Sequence, residues 1–327
     1  MTDQSIMHTD MCPLCKNKGT SDLYSTFYNQ SKYSVRQCMK CNLAWTVSLN
    51  DESKDIYNDK QYYGGGNNKF IPILHDIRSR LSRIRAKRYF SMIPKSVKQP
   101  KILDIGCAEG RLLKSFLELG CECYGVEHVS YPEDRFIDKE KIKYYHGDLN
   151  TIPLEKGFFN IIILWHVLEH IDNLGEVISK VSNLLTHGGI IVLAVPNFYS
   201  TEAKIFKQIW FHLDIPWHKY HFTKKSVGYL AEKNHFKTIS NSTFCVEQGP
   251  YGFVQTILNA LKFPRNELYE ALKGHLNKNR LLSLFIQAFI AMLFLMPCIL
   301  LSFYSSIRGE GSIFKAVLVK NGKSPVL

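Results

Sequence analysis

Four cysteines near the start of the chain stand in two Cys-x-x-Cys pairs that could hold a metal ion. The pairs are Cys12/Cys15 and Cys38/Cys41, with 22 residues between them. Four thiolates at such a spacing suit a tetrahedral Zn²⁺ site. Because cysteine fills every ligand position and leaves none open for chemistry, the predicted metal is structural. The alternatives are four free thiols in a loop-rich segment, or a redox pair, for which two cysteines would suffice.

The segment around these cysteines is predicted to form a zinc-ribbon-like module over residues 1–60. The interval between the pairs carries aromatic and β-branched residues suited to a β-hairpin, namely Tyr24, Phe27, Tyr28, Tyr33 and Val35. A module of this size has little apolar core, so metal binding would supply much of its folding free energy.

A second candidate site is the stretch 101–110, Lys-Ile-Leu-Asp-Ile-Gly-Cys-Ala-Glu-Gly. It predicts a short buried strand over 101–105, a turn that contains Gly106 and Gly110, and a helix over 111–120. In doubly wound sheets, ligands bind beyond the carboxyl ends of the strands, and glycine lets the backbone pass close to them. Taken alone, the pattern fits an ordinary strand–helix turn equally well.

Acidic residues stand at the ends of the next two predicted strands. Glu127 ends the strand 121–127, where a carboxylate can accept hydrogen bonds from both ribose hydroxyls of an adenosine. Asp148 ends the strand 142–148, where a carboxylate can accept from an adenine amino group. The remaining predicted elements are strands 158–165, 190–196, 236–246 and 313–320 and helices 172–185, which Gly188 and Gly189 stop, and 223–234. This order predicts an α/β, Rossmann-like seven-stranded sheet.

Four motifs occur here in the order found in one known family. They are Asp104-Ile-Gly-Cys-Ala-Glu-Gly110, Glu127, Gly147-Asp148 and Trp165-His-Val-Leu-Glu-His170. As an ordered set they resemble the class I S-adenosylmethionine-dependent methyltransferases, in the small-molecule, ubiquinone-methyltransferase-like branch. The resemblance covers residues 100–245, and a four-cysteine module before such a domain is similar to methyltransferases of sugars or other cell-envelope intermediates.

The resemblance implies a bound S-adenosyl-L-methionine and a set of residues that hold it. Its methionine part would lie along Gly106, Ala108 and Gly110, its ribose at Glu127, and its adenine at Asp148 and Leu149. Asp104 and His166 complete the expected cofactor-binding set. The chain departs from the family pattern at His128, after Glu127, and at Asn160, where an aspartate often begins the fourth strand. Neither departure removes an expected cofactor ligand.

Histidines supply the candidates for catalysis. His166-Val-Leu-Glu169-His170 fits a zinc-peptidase pattern, but that chemistry needs both histidines on one helix face, whereas here the motif follows a strand. We expect it to form the loop over the reacting methyl group. The resemblance implies that the aromatic insert 210–223 caps the acceptor side, with His218 and His221 facing the acceptor. His170, His218 and His221 are therefore the candidate bases for a hydroxyl acceptor. The alternative for each is a histidine that packs among aromatics, faces solvent or bonds to backbone.

Residues 61–99 are predicted to form a linker and a basic amphipathic helix. Apolar residues recur at helical spacing from Ile73 to Ile84, among six arginines and lysines between Arg78 and Arg88. This helix either packs on the core with a solvated basic face or attracts anionic lipid head groups or a diphosphate-bearing substrate.

Residues 281–307 carry no charge and are long enough to be a transmembrane candidate. The strand predicted at 313–320 would join the same sheet as the others, so both ends of the apolar run would lie on one side of a membrane. We therefore expect a shallow hairpin, broken near Pro297, on the cytoplasmic leaflet. The alternative is a buried helical pair. The predicted segments are then the core 100–249, the insertion 250–307, and the last strand with the tail, 308–327.

Composition and charge restrict the classes of function that the protein can have. The polar N-terminal residues and the cysteine usage predict a reducing compartment, and the net charge of +12 favours an anionic partner. The preferred hypothesis is a methyltransferase of a small-molecule or lipid-linked saccharide acceptor at the inner membrane face. A nucleic-acid partner is not expected, because the fourth strand lacks the Asn/Asp-Pro-Pro-aromatic clamp used on exocyclic base amines. An RNA methyltransferase and a non-catalytic zinc-ribbon membrane adaptor remain as alternatives; the sequence leaves the oligomeric state open.

Overall fold

The computed structural model describes residues 10–28, 30–49, 72–128 and 135–320. Residues 61–71 of the predicted linker-and-helix segment 61–99 lie outside the described residues, as do residues 1–9, 29 and 50–60 of the predicted module and the tail at 321–327. The strands are β1 Thr20–Tyr28, β2 Ser31–Cys38, β3 Ala44–Ser48, β4 Lys101–Ile105, β5 Glu122–Glu127, β6 Ile142–His146, β7 Phe159–Trp165, β8 Leu185–Pro196, β9 Tyr220–His221, β10 Phe236–Ser242 and β11 Ile313–Lys320. The helices are α1 Pro72–Phe90, α2 Arg111–Leu117, α3 Leu174–Leu184, α4 Thr201–Phe206, α5 Lys224–Lys233, α6 Gly249–Ala260, α7 Glu267–Leu272 and α8 Leu281–Ile307.

A seven-stranded sheet in the order β10-β11-β8-β7-β4-β5-β6 confirms the predicted α/β fold. β4 pairs in parallel with β5 and β7, and β7 pairs in parallel with β8. The β7 sequence, Phe-Asn-Ile-Ile-Ile-Leu-Trp, is apolar throughout because helices cover both faces of a central parallel strand. The carboxyl ends of β4, β5, β6 and β7 therefore meet at one edge, where the motif residues follow them.

A second, four-stranded sheet has the order β1-β2-β3-β9. β1 and β2 form the predicted hairpin, and β3 pairs antiparallel with β2. The fourth strand, β9, comes from the aromatic insert: Ala44 lies opposite His221 and Trp45 opposite Tyr220. The sequence did not predict this pairing.

The contacts divide the chain into two units. One holds the described residues of Met1–Phe70 with Val195–Val227 and Ser242–Phe314; the other holds Ile71–Ala194, Gly228–Asn241 and the described residues of Lys315–Leu327. The sheet of β1, β2, β3 and β9 belongs to the first unit, and the core of the large sheet belongs to the second. The predicted segment boundaries stay a prediction.

Helix α1 has the predicted helical conformation and packs on the core of its unit. Ala86 and Tyr89 are buried in that core, and the Arg85 guanidinium lies 4.3 Å from the centre of the Trp165 ring. Arg80 and Lys87 are exposed. These contacts favour the core-packing interpretation, and attraction to lipid head groups or a diphosphate stays a prediction.

Two predicted local features are wrong. Helix α3 ends at Leu184, and Gly188 and Gly189 do not stop it but lie inside β8. They sit in an irregularity of the pairing, where Phe159 faces Leu185 but Ile161 already faces Ile190. The extra residues are accommodated as a bulge, a feature in which glycine is common.

The predicted hairpin at 281–307 is also wrong. The whole run forms one helix, α8, with Pro297 inside it. A proline removes one hydrogen bond and clashes with the preceding turn, which bends a helix, but the intact turns on both sides keep a long apolar helix continuous.

Candidate functional site

The glycine turn after β4 is held in a conformation that only small residues accept. Gly106 and Gly110 have φ angles of +72° and +82°, in the left-handed region. A Cβ on Gly106 would lie 2.5 Å from Val167 Cγ2, and a Cβ on Gly110 would collide with the Tyr144 hydroxyl. That hydroxyl is fixed because it donates to the Ile137 carbonyl at 2.8 Å. Tyr144 therefore requires glycine at position 110, a reason that the sequence motif did not reveal.

Two buried carboxyl groups flank this turn. Glu127 Oε2 accepts a hydrogen bond of 2.8 Å from the Ala108 backbone N–H, which holds Ala108 at a φ of +47°. Asp104 is buried, and burial, with the nearby Glu127 charge as a second cause, raises the pKa of Asp104 to about 8. Burial therefore favours the neutral form of Asp104 more than it would for an exposed carboxyl group.

The loop after β6 carries Asp148 and Leu149. Asp148 Oδ1 accepts from the Asn150 N–H at 2.8 Å and closes an Asx turn. Lys180 Nζ donates to the carbonyls of Leu149, Asn150 and Ile152, the last two at 3.0 and 3.1 Å. Burial lowers the pKa of Lys180. Lys180 thus ties the predicted adenine loop to α3, a role that no local sequence signal indicates.

At the exit of β7, His166 has a φ of +56° and its Nδ1 lies 3.0 Å from Glu169 Oε1. Glu169 is fully buried. His166 Nε2 is buried and has no hydrogen-bond partner among the residues that the structure describes. The segment is not helical, since α3 begins only at Leu174, which agrees with rejecting the peptidase interpretation. His170 lies in the same turn, and its backbone N–H donates to the Val167 carbonyl at 2.9 Å.

These features fit S-adenosyl-L-methionine. The carboxyl edge offers a glycine turn without side chains, an acidic residue at the end of β5, a tethered loop after β6 and the buried Nε2 of His166, a polar atom that a ligand can satisfy. Asp104, Gly106, Ala108, Gly110, Glu127, Asp148, Leu149 and His166 all follow or end strands of this edge. Their individual cofactor contacts stay predictions.

In the other unit, the four predicted metal ligands come together. The Sγ atoms of Cys12, Cys15, Cys38 and Cys41 all lie within 4.8 Å of one another. Cys12 and Cys41 are 3.5 Å apart and Cys15 and Cys38 are 3.4 Å apart, near the ~3.8 Å edge of a tetrahedron with ~2.3 Å zinc–sulfur bonds. A hydrogen bond from Cys41 lowers the pKa of Cys12 to about 5. The same hydrogen bond, together with burial, raises the pKa of Cys41, so it is the spacing of the four sulfur atoms that indicates a structural Zn²⁺ site.

The same unit holds His218 and His221, and neither faces solvent. His218 Nδ1 lies 2.9 Å from the His212 carbonyl, which can only accept, so this nitrogen carries a proton. The Thr46 hydroxyl donates to the His218 carbonyl at 2.7 Å and lies 3.0 Å from His221 Nε2. Because a hydroxyl has one proton, it must accept from Nε2–H of His221.

These hydrogen bonds assign a proton to Nδ1 of His218 and to Nε2 of His221; in the neutral form of each ring the lone pair would be on the other nitrogen, and His218 Nε2 also lies 3.9 Å from Asp214 Oδ2. Only a nitrogen with a lone pair can take a proton from an acceptor. Sequence reasoning found the histidines but missed Thr46. A polar residue inside Ala44-Trp-Thr-Val-Ser48, a strand buried at every position, was the signal that could have found it.

Residues 73–241, more than half of the chain, match the family model described as a methyltransferase domain. The chain belongs to this family, and with its seven-stranded sheet and glycine turn it is a class I S-adenosylmethionine-dependent methyltransferase.

Curated relatives match over part of their length. Over 108 residues the chain is 30% identical to the ubiquinone biosynthesis O-methyltransferase of Rhodopseudomonas palustris strain HaA2, covering 30% of this chain and 40% of that protein. Over 107 residues it is 34% identical to an uncharacterized methyltransferase of Anoxybacillus flavithermus, covering 31% and 50%. The chain thus spans 40% and 50% of the length of these relatives. A crystal structure of a SAM-dependent methyltransferase from Archaeoglobus fulgidus covers 74% of this chain and 94% of its own, at 20% identity and a TM-score of 0.45.

The Gly110 geometry leads to a first prediction. Gly110→Ala should weaken S-adenosylmethionine binding at least ~tenfold, because the left-handed φ costs ~1 kcal/mol and the new Cβ displaces Tyr144 from the turn. Calorimetric titration measures the affinity. Gly120→Ala is the matched control, since Gly120 has a φ of +81° but open space around it. Equal effects of the two substitutions would contradict the role of Tyr144.

Lys180 gives a second prediction. Lys180→Met keeps the apolar stem and removes the three hydrogen bonds to the 149–152 loop. Affinity for S-adenosylmethionine should therefore fall ~5- to 50-fold, whereas binding of methionine, which lacks the adenosine part, should change little. Competition titration with adenosine and methionine separates the two halves. Lys114→Met, at a lysine paired to Asp138 at 3.6 Å on the surface, is the control.

Thr46 gives a third prediction. Thr46→Val should release the His221 tautomer, seen in ¹⁵N-histidine NMR as loss of the pure Nε2–H pattern, whereas Thr46→Ser should retain it. A Thr46→Val protein with unchanged His221 nitrogen shifts would show that the hydroxyl does not set the tautomer.

Proposed function

We propose that this protein transfers the methyl group of S-adenosyl-L-methionine to a hydroxyl of a small-molecule or lipid-linked saccharide acceptor at the cytoplasmic face of the inner membrane. The observation that carries the proposal is the family match over the sheet edge that bears the glycine turn and Glu127. The ubiquinone biosynthesis O-methyltransferase of Rhodopseudomonas palustris, by its name, methylates oxygen, which supports a hydroxyl acceptor.

When bound, the cofactor supplies an activated methyl carbon, so the protein's work is alignment, desolvation and proton removal. The turn at Gly106–Gly110 and the carboxylate of Glu127 would hold and orient it, with the buried Asp104 carboxyl group at the start of the turn. His166 Nε2 offers a further polar contact. The carboxyl groups of Asp104 and Glu127 and the Nε2 atom of His166 are buried, whereas Gly106 and Ala108 of the turn are exposed and open to a ligand.

A hydroxyl acceptor must lose its proton as its oxygen forms the new bond to carbon. Among the candidate bases, His218 and His221 each have one ring nitrogen in a defined hydrogen bond, to the His212 carbonyl and to Thr46, so the other nitrogen of each ring is the one that would take the proton. A positioned base of this kind contributes typically ~10²–10⁴-fold. His170 remains a candidate without such a defined tautomer.

We propose in addition that Cys12, Cys15, Cys38 and Cys41 bind a structural Zn²⁺. The described segment of β1–β3 is joined to the insert that carries His218 and His221 through β9. Loss of the metal should therefore disturb the acceptor-side histidines before it disturbs the cofactor edge.

The membrane location rests on a helix and on charge. Among the described residues, the helical run Lys278–Ile307, which contains α8, is long and apolar enough by length and composition to cross a membrane. The net charge of +12 suits an anionic membrane surface. Together they support attachment to the inner membrane, peripheral or monotopic, and an acceptor that is presented there.

The test combines a methyl donor with fractionated acceptors. Zinc-loaded protein with isotope-labelled S-adenosylmethionine should label the lipid or glycan fraction of a cell extract, and lipids of a deletion strain should lack one methylene in the corresponding species. Labelling confined to RNA would replace this proposal with the RNA alternative. Correctly folded, zinc-loaded protein that binds no S-adenosylmethionine would favour the non-catalytic adaptor.

A further inference from the structure

Helix α8 turns its polar residues inward and its apolar residues outward. The side chains it buries include Gln287, Ser302 and Ser305, with Leu284 and Cys298. Its exposed large apolar side chains are Leu281, Leu282, Phe285, Ile286, Phe289, Met292, Leu293, Phe294, Leu295, Met296, Ile299, Leu300, Leu301, Phe303, Tyr304 and Ile307. A helix on the surface of a water-soluble protein has the opposite pattern.

The inward face is fixed by polar contacts within its own unit. Glu267, the first residue of α7, accepts hydrogen bonds from Ser283 Oγ at 2.9 Å and Gln287 Nε2 at 2.6 Å. At the other end, the Ser306 and Thr243 hydroxyls each donate to the other residue's carbonyl, at 3.3 and 3.2 Å. These hydrogen bonds hold α8 against its unit along one narrow stripe of the helix. They therefore fix which side chains of α8 face outward.

The buried positions 284, 287, 298, 302 and 305 are separated by 3, 11, 4 and 3 residues, which are all close to whole numbers of helical turns. This spacing keeps them on one side of the helix, so apolar side chains are exposed around the rest of its circumference. A second copy of the chain packing face to face would cover one side only. Acyl chains can surround all the remaining sides, which favours a bilayer as the occupant.

Helix α6, which packs beside α8, restricts how α8 can be oriented in a membrane. Phe253, Val254 and Leu258 of α6 pack against Cys298, so α6 lies beside α8. With 12 residues α6 is only ~18 Å long, shorter than the ~30 Å hydrocarbon layer. If α8 crossed the bilayer upright, α6 and its polar connections would be drawn into the hydrocarbon with it, at a high cost for unpaired backbone groups.

We infer that α8 lies parallel to the membrane plane below the head groups of an anionic leaflet, with α6 and α7 above it. The inference rests on the proposed membrane location and specifies its geometry. Lys278, Arg280 and Arg308 flank the apolar run and match the negative charge of such a leaflet. An in-plane helix of 27 residues offers a ~40 Å apolar strip, on which a lipid-linked acceptor can approach from the same leaflet.

The first test is flotation of the full chain with phosphatidylcholine vesicles, with and without phosphatidylglycerol. The protein should float, and better on anionic vesicles. Leu282→Asp combined with Leu300→Asp should lower vesicle partitioning about a hundredfold, because both side chains would carry charge at acyl depth. The matched control, Ile205→Asp with Ile239→Asp, changes two exposed isoleucines outside α8 and should float normally.

Calorimetric binding of S-adenosylmethionine by each variant verifies that it is folded, and it also separates the two proposals. A protein that binds the cofactor but does not float overturns the membrane inference and leaves the methyltransferase proposal standing. A protein that floats but binds no cofactor supports the membrane inference and overturns the methyltransferase proposal. Self-association in sedimentation that the double substitution abolishes, without vesicle binding, would assign the face to a second copy instead.

The orientation is tested by depth-dependent quenching. Tryptophan placed singly at Leu282, Leu293 and Leu300 is compared with the unsubstituted protein in vesicles of lipids brominated at different chain positions. An in-plane helix predicts the same shallow depth at all three sites. A deep maximum at Leu293 with shallow ends would show that α8 crosses the bilayer and would overturn the inference.

Discussion

The parallel pairing of β4 with its neighbours is the constraint on which the geometry of the predicted cofactor-binding edge depends. Asp104 lies opposite Gly125 of β5 and Ile163 of β7, so three strands end in register. This register brings residues separated in sequence to one edge, and the hydrogen bond from the Ala108 N–H to Glu127 then holds the turn. Since each of these strands is buried on both faces, a slip of one residue would move every side chain to the opposite face, which is packed by different neighbours. Core packing therefore fixes the geometry of the ligand edge.

In the other unit, the hydroxyl group of Thr46 connects residues that are distant in sequence. Thr46 lies on the cysteine module, yet it bonds the backbone of His218 and the ring of His221, both on the insert. The module is thus a structural part of the site that holds these histidines and not a separate appendage. This arrangement gives a physical reason for a four-cysteine module in this methyltransferase: the module carries β3, the strand with which β9 of the insert pairs.

Local patterns predicted the seven strands, the glycine turn and the cysteine cluster, because each depends on residues close in sequence. They did not predict β9 or the role of Thr46, since that pairing joins residues 175 positions apart and involves only two residues of strand. Lys180 was missed for the same reason, as its partners are carbonyls of a distant loop. The break at Pro297 was wrong because a single residue's helix preference was weighed without the packing of α8 on α6.

The late arrival of β9 has a consequence for biosynthesis. On the ribosome, the hairpin and β3 emerge early, but the partner of β3 is translated only when residues 220 and 221 appear. Until then β3, with Trp45 and Val47, is an unpaired apolar edge, the kind of surface on which nascent chains aggregate. Metal capture by the four cysteines can order the hairpin during this interval but cannot cover that edge. The edge of β3 therefore stays open until residues 220 and 221 have been translated.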